Sequence, residues 1–224
     1  ILPSEVFHTA YVKAAEMFSS ETGASAQETY TTDDFTYTLI DEYSKVQILS
    51  YIGSDADVVI PDRIDNKKVT SIADSAFREK SITSVVFGQY VESIGNYAFY
   101  SCQSLNELDF SKSSVKTIGD YAFTVCKSLE SIEFPDSLES VGYGAFSAYT
   151  DGYYGSYVAS SLKSVKFGGG LKSIESYAFY ENRALNTVKF TGDALTSIGY
   201  RSFYNTDITE LDLSGTDASI NMYA

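Results

Sequence analysis

Apolar side chains in this chain return at a fixed interval. From Val91 the apolar positions are Val91, Ile94, Ala98, Phe99, Cys102, Leu105, Leu108 and Phe110. From Val115 they are Val115, Ile118, Ala122, Phe123, Cys126, Leu129, Ile132 and Phe134, each 24 residues on. Ile94, Ala98, Phe99 and Cys102 fall at steps of four, five and eight, which predicts one face of a short helix or helical turn. Leu108 and Phe110 alternate with Glu107 and Asp109, the pattern of a strand with one buried face. A polar turn follows (Ser111 to Ser114, or Pro135 to Ser137), and Val115 or Leu138 then re-enters the core. A unit of this size cannot close a core alone, so its neighbours must stack on it.

An Ala-Phe pair marks each unit: Ala76-Phe77, Ala98-Phe99, Ala122-Phe123, Ala145-Phe146, Ala178-Phe179, and Ser202-Phe203 as a near-copy. The phenylalanines are 22, 24, 23, 33 and 24 residues apart, so the fourth unit carries an insertion. Six units lie between Val69 and Asp217. Glycine follows the isoleucine or valine in four of them (Gly95, Gly119, Gly142, Gly199), with Ala73 and Glu175 elsewhere, so a positive φ is at most helpful there.

The pattern Leu-x-x-Ile-x-Phe-Pro, then Leu-x-x-Ile-Gly-x-x-Ala-Phe-x-x-Cys-x-x-Leu, resembles the BspA-like leucine-rich repeats of bacterial surface proteins. The resemblance runs from Phe35 to Asp217, about four-fifths of the chain. It implies an α/β fold: a right-handed leucine-rich-repeat solenoid with a parallel strand ladder and short helices. It also implies a secreted or surface-anchored protein that contacts host proteins or other cells. It names no ligand.

Residues 1–34 lack the repeat. Val6, Phe7, Ala10, Tyr11, Ala14, Met17 and Phe18 form a helical stripe behind Ser4 as N-cap. We expect a helix on the solenoid's open end, a remnant of a preceding domain, or a partner-binding helix. Residues 35–68 read as an N-terminal β cap of two or three short strands, with turns at Asp41-Glu42 and Gly53 to Asp55. The repeats occupy 69–217, with the insertion near 149–160, and 218–224 is a tail.

Composition narrows the partners. The formal net charge is −14, which disfavours nucleic acid and anionic membrane surfaces. No apolar run approaches a membrane span. The chain starts at Ile1 with no methionine or apolar leader, which we read as a chain already relieved of its signal peptide. Cys102 and Cys126 occupy equivalent positions of adjacent units. That spacing leaves a disulfide open, but parallel side-chain directions suit free buried thiols better. One histidine, no CxxC, no HExxH, no phosphate loop and no Gly-x-Ser-x-Gly elbow leave no nucleophile with a positioned base and no metal or cofactor set. Asp55 and Asp57 lack the spacing of a calcium loop. We therefore expect no enzyme and no cofactor.

Two surfaces are candidates for recognition. The insertion carries Tyr149, Tyr153, Tyr154 and Tyr157 among Gly and Ser, a composition suited to recognition loops. The strand face carries a charged column: Glu107 and Asp109, Glu133, Lys166, Lys189, then Glu210 and Asp212. Neighbouring strands should set Glu133 beside Lys166 and Lys189 beside Asp212, with Asp109 beside Glu133 as a like-charge pair. A third feature is a tyrosine column on the helical side, through Tyr97, Tyr121 and Tyr177, which repetition alone explains. The expected function is protein binding or adhesion through the concave strand face and the tyrosine-rich loop. Alternatives are sugar binding by Tyr153, Tyr154 and Tyr157, or a spacer that displays another domain. The expected partner is a host or neighbouring-cell surface protein, or a glycan.

Overall fold

A computed structural model describes residues 28–150, 156–209, 211, 213 and 219–220. The chain opens with β1 (Thr29–Thr31), β2 (Phe35–Ile40) and β3 (Lys45–Tyr51), an antiparallel meander. β4 (Asp57–Val59), β5 (Arg63–Ile64) and β6 (Lys67–Ile72) lead into the coils. Each coil then supplies two short strands: β7 (Ser84–Val86) and β8 (Ser93–Ile94), β9 (Glu107–Asp109) and β10 (Thr117–Ile118), β11 (Ser131–Glu133) and β12 (Ser140–Val141). β13 (Ser164–Phe167), β14 (Ser173–Ile174), β15 (Thr187–Phe190), β16 (Ser197–Ile198) and β17 (Ser219–Ile220) continue the series. The two-residue strands stack in parallel from β6 to β17, and β3 joins β6 so that the meander closes one end of that wall. The longer strands form the strand face as two separate parallel sheets, β4-β7-β9 and β11-β13-β15.

The short helices expected from the steps of four, five and eight do not form among the described residues, where the same stretch is a run of turns. The reason lies in the backbone. Tyr97 and Ser101 take left-handed φ values of 56° and 59°, and the pairs Tyr121/Val125 and Tyr177/Glu181 repeat this. A left-handed residue every fourth position ends any helix. The freed N–H groups turn to the next coil: Tyr97, Phe99 and Ser101 donate to the carbonyls of Asp120, Ala122 and Thr124 at 2.8, 2.7 and 2.9 Å. Gly95, Gly119, Gly142 and Gly199 do not take a positive φ. The left-handed position comes two residues later, and at Gly119 a Cβ would lie 2.7 Å from the backbone of Gly95 in the preceding coil. Close coil contact, not φ, demands glycine there. The expected N-terminal helix lies outside the described residues.

Inside the coils the repeated apolar positions form columns. Phe77, Phe99, Phe123, Phe146, Phe179 and Phe203 stack with centroids 4.6, 4.9, 4.9, 5.3 and 5.3 Å apart. Tyr51 of the meander lies on Phe77 at 5.4 Å and so covers the first ring. Each ring pair contributes about 0.5–1.5 kcal/mol beyond the burial itself. Both cysteines are free and buried. Their Sγ atoms donate to the preceding coil's phenylalanine carbonyl, Cys102 to Phe77 at 3.0 Å and Cys126 to Phe99 at 3.2 Å. Burial pushes the Cys102 thiol up to about 12 and Cys126 well above its ordinary value.

Candidate functional site

The strand face gathers five of the expected charged residues. Parallel register sets Glu133 beside Lys166 and Lys166 beside Lys189, and β9 presents Glu107 and Asp109. These positions alternate with buried Leu108, Ile132 and Val165, so each strand's period of two directs every charge outward. Lys166 and Glu133 form an ion pair. The Asp109 carboxyl accepts from the Ser111 N–H at 2.8 Å, and hydrogen bonding by Ser111 holds it below the usual carboxylate range. Glu210 and Asp212 lie outside the described residues, and with them the expected Lys189–Asp212 pair.

The inserted loop is described at its two ends. Tyr149 and Tyr157 face each other across an isolated antiparallel bridge. Tyr149 sets its ring edge-on to Tyr180 at 5.8 Å, and the Arg183 guanidinium lies 4.3 Å from the Tyr157 centroid. Arg183 is in turn held by Glu181 at 2.8 Å, and Asn205 donates to the same carboxylate at 2.8 Å. These partners belong to the turn side of the coils, not to the charged strands. Tyr153 and Tyr154 lie outside the described residues. The loop therefore rests its described tyrosines on the turn side, next to a longer tyrosine ridge. In that ridge Tyr97, Tyr121, Tyr143, Tyr177 and Tyr200 follow one another at 5.0, 5.4, 5.3 and 5.7 Å. Arg78 lies over Tyr97 and Tyr100, and Arg201 over Tyr200 and Tyr204.

The sequence matches the model of the BspA type leucine rich repeat region in six copies, over residues 70–153 and 153–224. The chain belongs to the BspA-type leucine-rich-repeat family. A leucine-rich repeat protein of T. pallidum is similar to it at 26% identity and a TM-score of 0.58, over 76% of this chain and 86% of that one. A leucine-rich cell surface protein of Faecalibacterium prausnitzii shares 23% identity and a TM-score of 0.58, over 87% of this chain and 56% of that one. A leucine-rich repeat protein of Bacteroides capillosus shares 24% identity and a TM-score of 0.51, over 63% of this chain and 99% of that one. The last two show likeness of fold alone. No curated protein sequence matches the chain.

Two features of this BspA-type array escape sequence reading. The first is Asn182, which takes the position of Cys102 and Cys126 in its own coil and donates to the Phe146 carbonyl at 2.7 Å. Its place three residues after Phe179 was the available signal. The second is a groove of about 890 Å³ between β9 and β11, bordered by Glu107, Asp109, Glu133 and Asp136. Its signal was the like-charge pair Asp109 and Glu133. Among the described residues there is no set of His, Cys, Asp or Glu able to hold a metal ion, and no helix long and apolar enough to cross a membrane.

Proposed function

We propose that this chain is a non-enzymatic protein-binding module of a secreted or cell-surface protein, and that it engages its partner through the strand face. The observation that carries the reading is the zoned charge of that face: Glu107 and Asp109 on β9, the Glu133–Lys166 pair across β11 and β13, and Lys189 on β15. A face with acidic and basic zones selects partners by electrostatic complementarity. Surface location is supported by membership of the BspA-type family. The partner class is a host or neighbouring-cell surface protein. A net charge of −14 argues against nucleic acid.

The tyrosine-rich loop is the second contact surface in this reading, offering ring edges and hydroxyls to a protein. Sugar binding is less well supported, because a sugar stacks on an open ring face. Tyr157 has one face under Arg183, and Tyr97/Tyr121 and Tyr180/Tyr204 stack face to face within 17° and 13°. The test is a binding screen against extracellular-matrix proteins and a glycan panel, with two variants alongside. A protein hit that weakens with salt, and weakens further in Glu133→Gln/Lys166→Gln/Lys189→Gln, supports the proposal. A glycan hit abolished by Tyr153→Ser/Tyr154→Ser/Tyr157→Ser and indifferent to salt would replace it with a lectin-like module.

A further inference from the structure

Neighbouring coils are tied along the strand face at two recurring points. The N–H of the phenylalanine after the strand reaches forward, from Phe87 to the Asp109 carbonyl (3.0 Å) and from Phe134 to the Lys166 carbonyl (2.9 Å). An N–H ahead of the strand reaches back, from Asn106 to Thr83 (2.9 Å) and from Lys163 to Glu130 (2.8 Å). Between β9 and β11 neither tie forms, although Phe110 and Glu130 hold the equivalent positions. The aromatic column registers the same break. Phe110 and Phe134 are tilted by 39°, whereas Phe87/Phe110 and Phe134/Phe167 lie within 4° and 14° of parallel.

Two local features accompany the parting. Paired strands would hold the Asp109 and Glu133 carboxylates side by side, which is unfavourable. Each has turned elsewhere instead, Asp109 to the Ser111 N–H and Glu133 to Lys166. The turn from Phe110 to Val115 is also one residue longer than those from Phe87 to Val91 and from Phe134 to Leu138.

The groove that results has an apolar floor of Leu108, Phe110 and Phe134 under its carboxylate rim. Three acids elsewhere meet a lysine of a neighbouring coil: Glu92 and Lys116 at 2.9 Å, Glu130 and Lys163 at 2.9 Å, Glu139 and Lys172 at 2.7 Å. Asp136 accepts instead from the Gly169 N–H, at 2.9 Å. Among the described residues no ion pair reaches Glu107, Asp109 or Asp136, and Lys166, the single cation lining the groove, is committed to Glu133. Alternation along parallel strands aims the main-chain groups of Leu108 and the Phe110 N–H on one side, and the main-chain groups of Ser131 and Glu133 on the other, into the parting, while the Phe110 carbonyl accepts from Ser113 in the turn.

We propose that this parting is the docking groove for an extended, basic segment of the protein partner. Its arginine or lysine side chains meet Glu107, Asp109 and Asp136, and its chain lies across the mouth of the parting, above the β9 and β11 main-chain groups that the sheet leaves unpaired. The inference rests on the protein-binding reading of the strand face and names the chemistry of the partner at that face.

The test is an amide-resolved NMR titration at low ionic strength with an eight-residue peptide alternating Arg and Thr. Its Glu-Thr counterpart and calcium chloride serve as comparison probes. The expected result is saturable shifts at Leu108, Phe110, Ser131 and Glu133 with the basic peptide alone. The double variant Glu107→Gln/Asp109→Asn, at one exposed and one half-buried position and close to isosteric at both, should keep the fold and bind roughly tenfold more weakly. Non-saturating shifts spread over the acidic surface, an unchanged affinity in the double variant, or the same shifts with calcium would each overturn the proposal. If a natural partner's footprint covers β13 and β15 but spares the groove, this inference fails while the protein-binding reading stands.

Discussion

Asn182 offers the sharpest test of how the coils are held together. In the first two coils the phenylalanine carbonyl has two donors: Phe77 accepts from the Cys102 Sγ and the Lys80 N–H, and Phe99 from the Cys126 Sγ and the Cys102 N–H. The insertion removes that redundancy in the fourth unit, where the Tyr149 N–H turns to the Ser147 hydroxyl. The Phe146 carbonyl is left to the Asn182 carboxamide, itself buried, at 2.7 Å. Asn182→Ala then strands a buried acceptor, which costs about 1–3 kcal/mol, and opens a small void that adds to it. Cys102→Ala removes only a weak S–H donor and leaves Phe77 its N–H partner. We expect about 2–4 kcal/mol for Asn182→Ala and about 1 kcal/mol for Cys102→Ala, read as a shift of the urea midpoint at unchanged slope. Asn182→Asp, of nearly the same shape, should cost more than alanine at neutral pH because it sets a carboxylate against the carbonyl. If Asn182→Ala costs no more than Cys102→Ala, the coils are not held by this bond and the reasoning fails.

Three further outcomes follow from the same geometry. Phe99→Leu loses ring stacking on two sides, with Phe77 and Phe123 at 4.6 and 4.9 Å, and should cost about 1–3 kcal/mol. Phe203→Leu, stacked on Phe179 at 5.3 Å and at the end of the described column, should cost about half as much in the same denaturation assay. Gly119→Ala should destabilise by about 1–3 kcal/mol, since its Cβ would meet Gly95 backbone at 2.7 Å; an unchanged midpoint would show that the coils part freely. The cysteines should resist iodoacetamide at pH 8 in the folded protein and react fully in urea, because burial holds the Cys102 thiol at about 12 and Cys126 higher still. The raised values also fix a sign: the neutral thiols favour the fold below their ordinary value of 9.0, and that contribution is lost as pH rises from 9.0 toward 12. Stability that rose across this window would contradict it.

The stacked coils were legible because the period in the sequence is the period of the core: Val91, Ile94, Ala98, Phe99, Cys102, Leu105 and Leu108 are all buried. The strand face was legible for the same reason, since a period of two leaves no choice about which side chains point out. The helix was not. Steps of four, five and eight are shared by a helix face and by a turn run whose left-handed residues, Tyr97 and Ser101, carry no glycine to announce them. The parting of β9 from β11 was half visible. Asp109 and Glu133 could be matched by position, but whether like charges separate two strands depends on turn length and on Lys166 drawing Glu133 away. The contact of Tyr157 with Arg183 joins residues of different units and has no periodic signature at all.

The most direct test of the functional reading is amide hydrogen exchange of the chain alone and bound to the first protein that the screen returns. Slowed exchange on partner binding is expected at 107–110, 131–134, 164–167 and 187–190, the strand face, with a second patch at Tyr149 and Tyr157. Protection confined to the tyrosine ridge around Tyr97, Tyr121 and Tyr177, with the strand face unchanged, would contradict it and move the binding surface to the turn side.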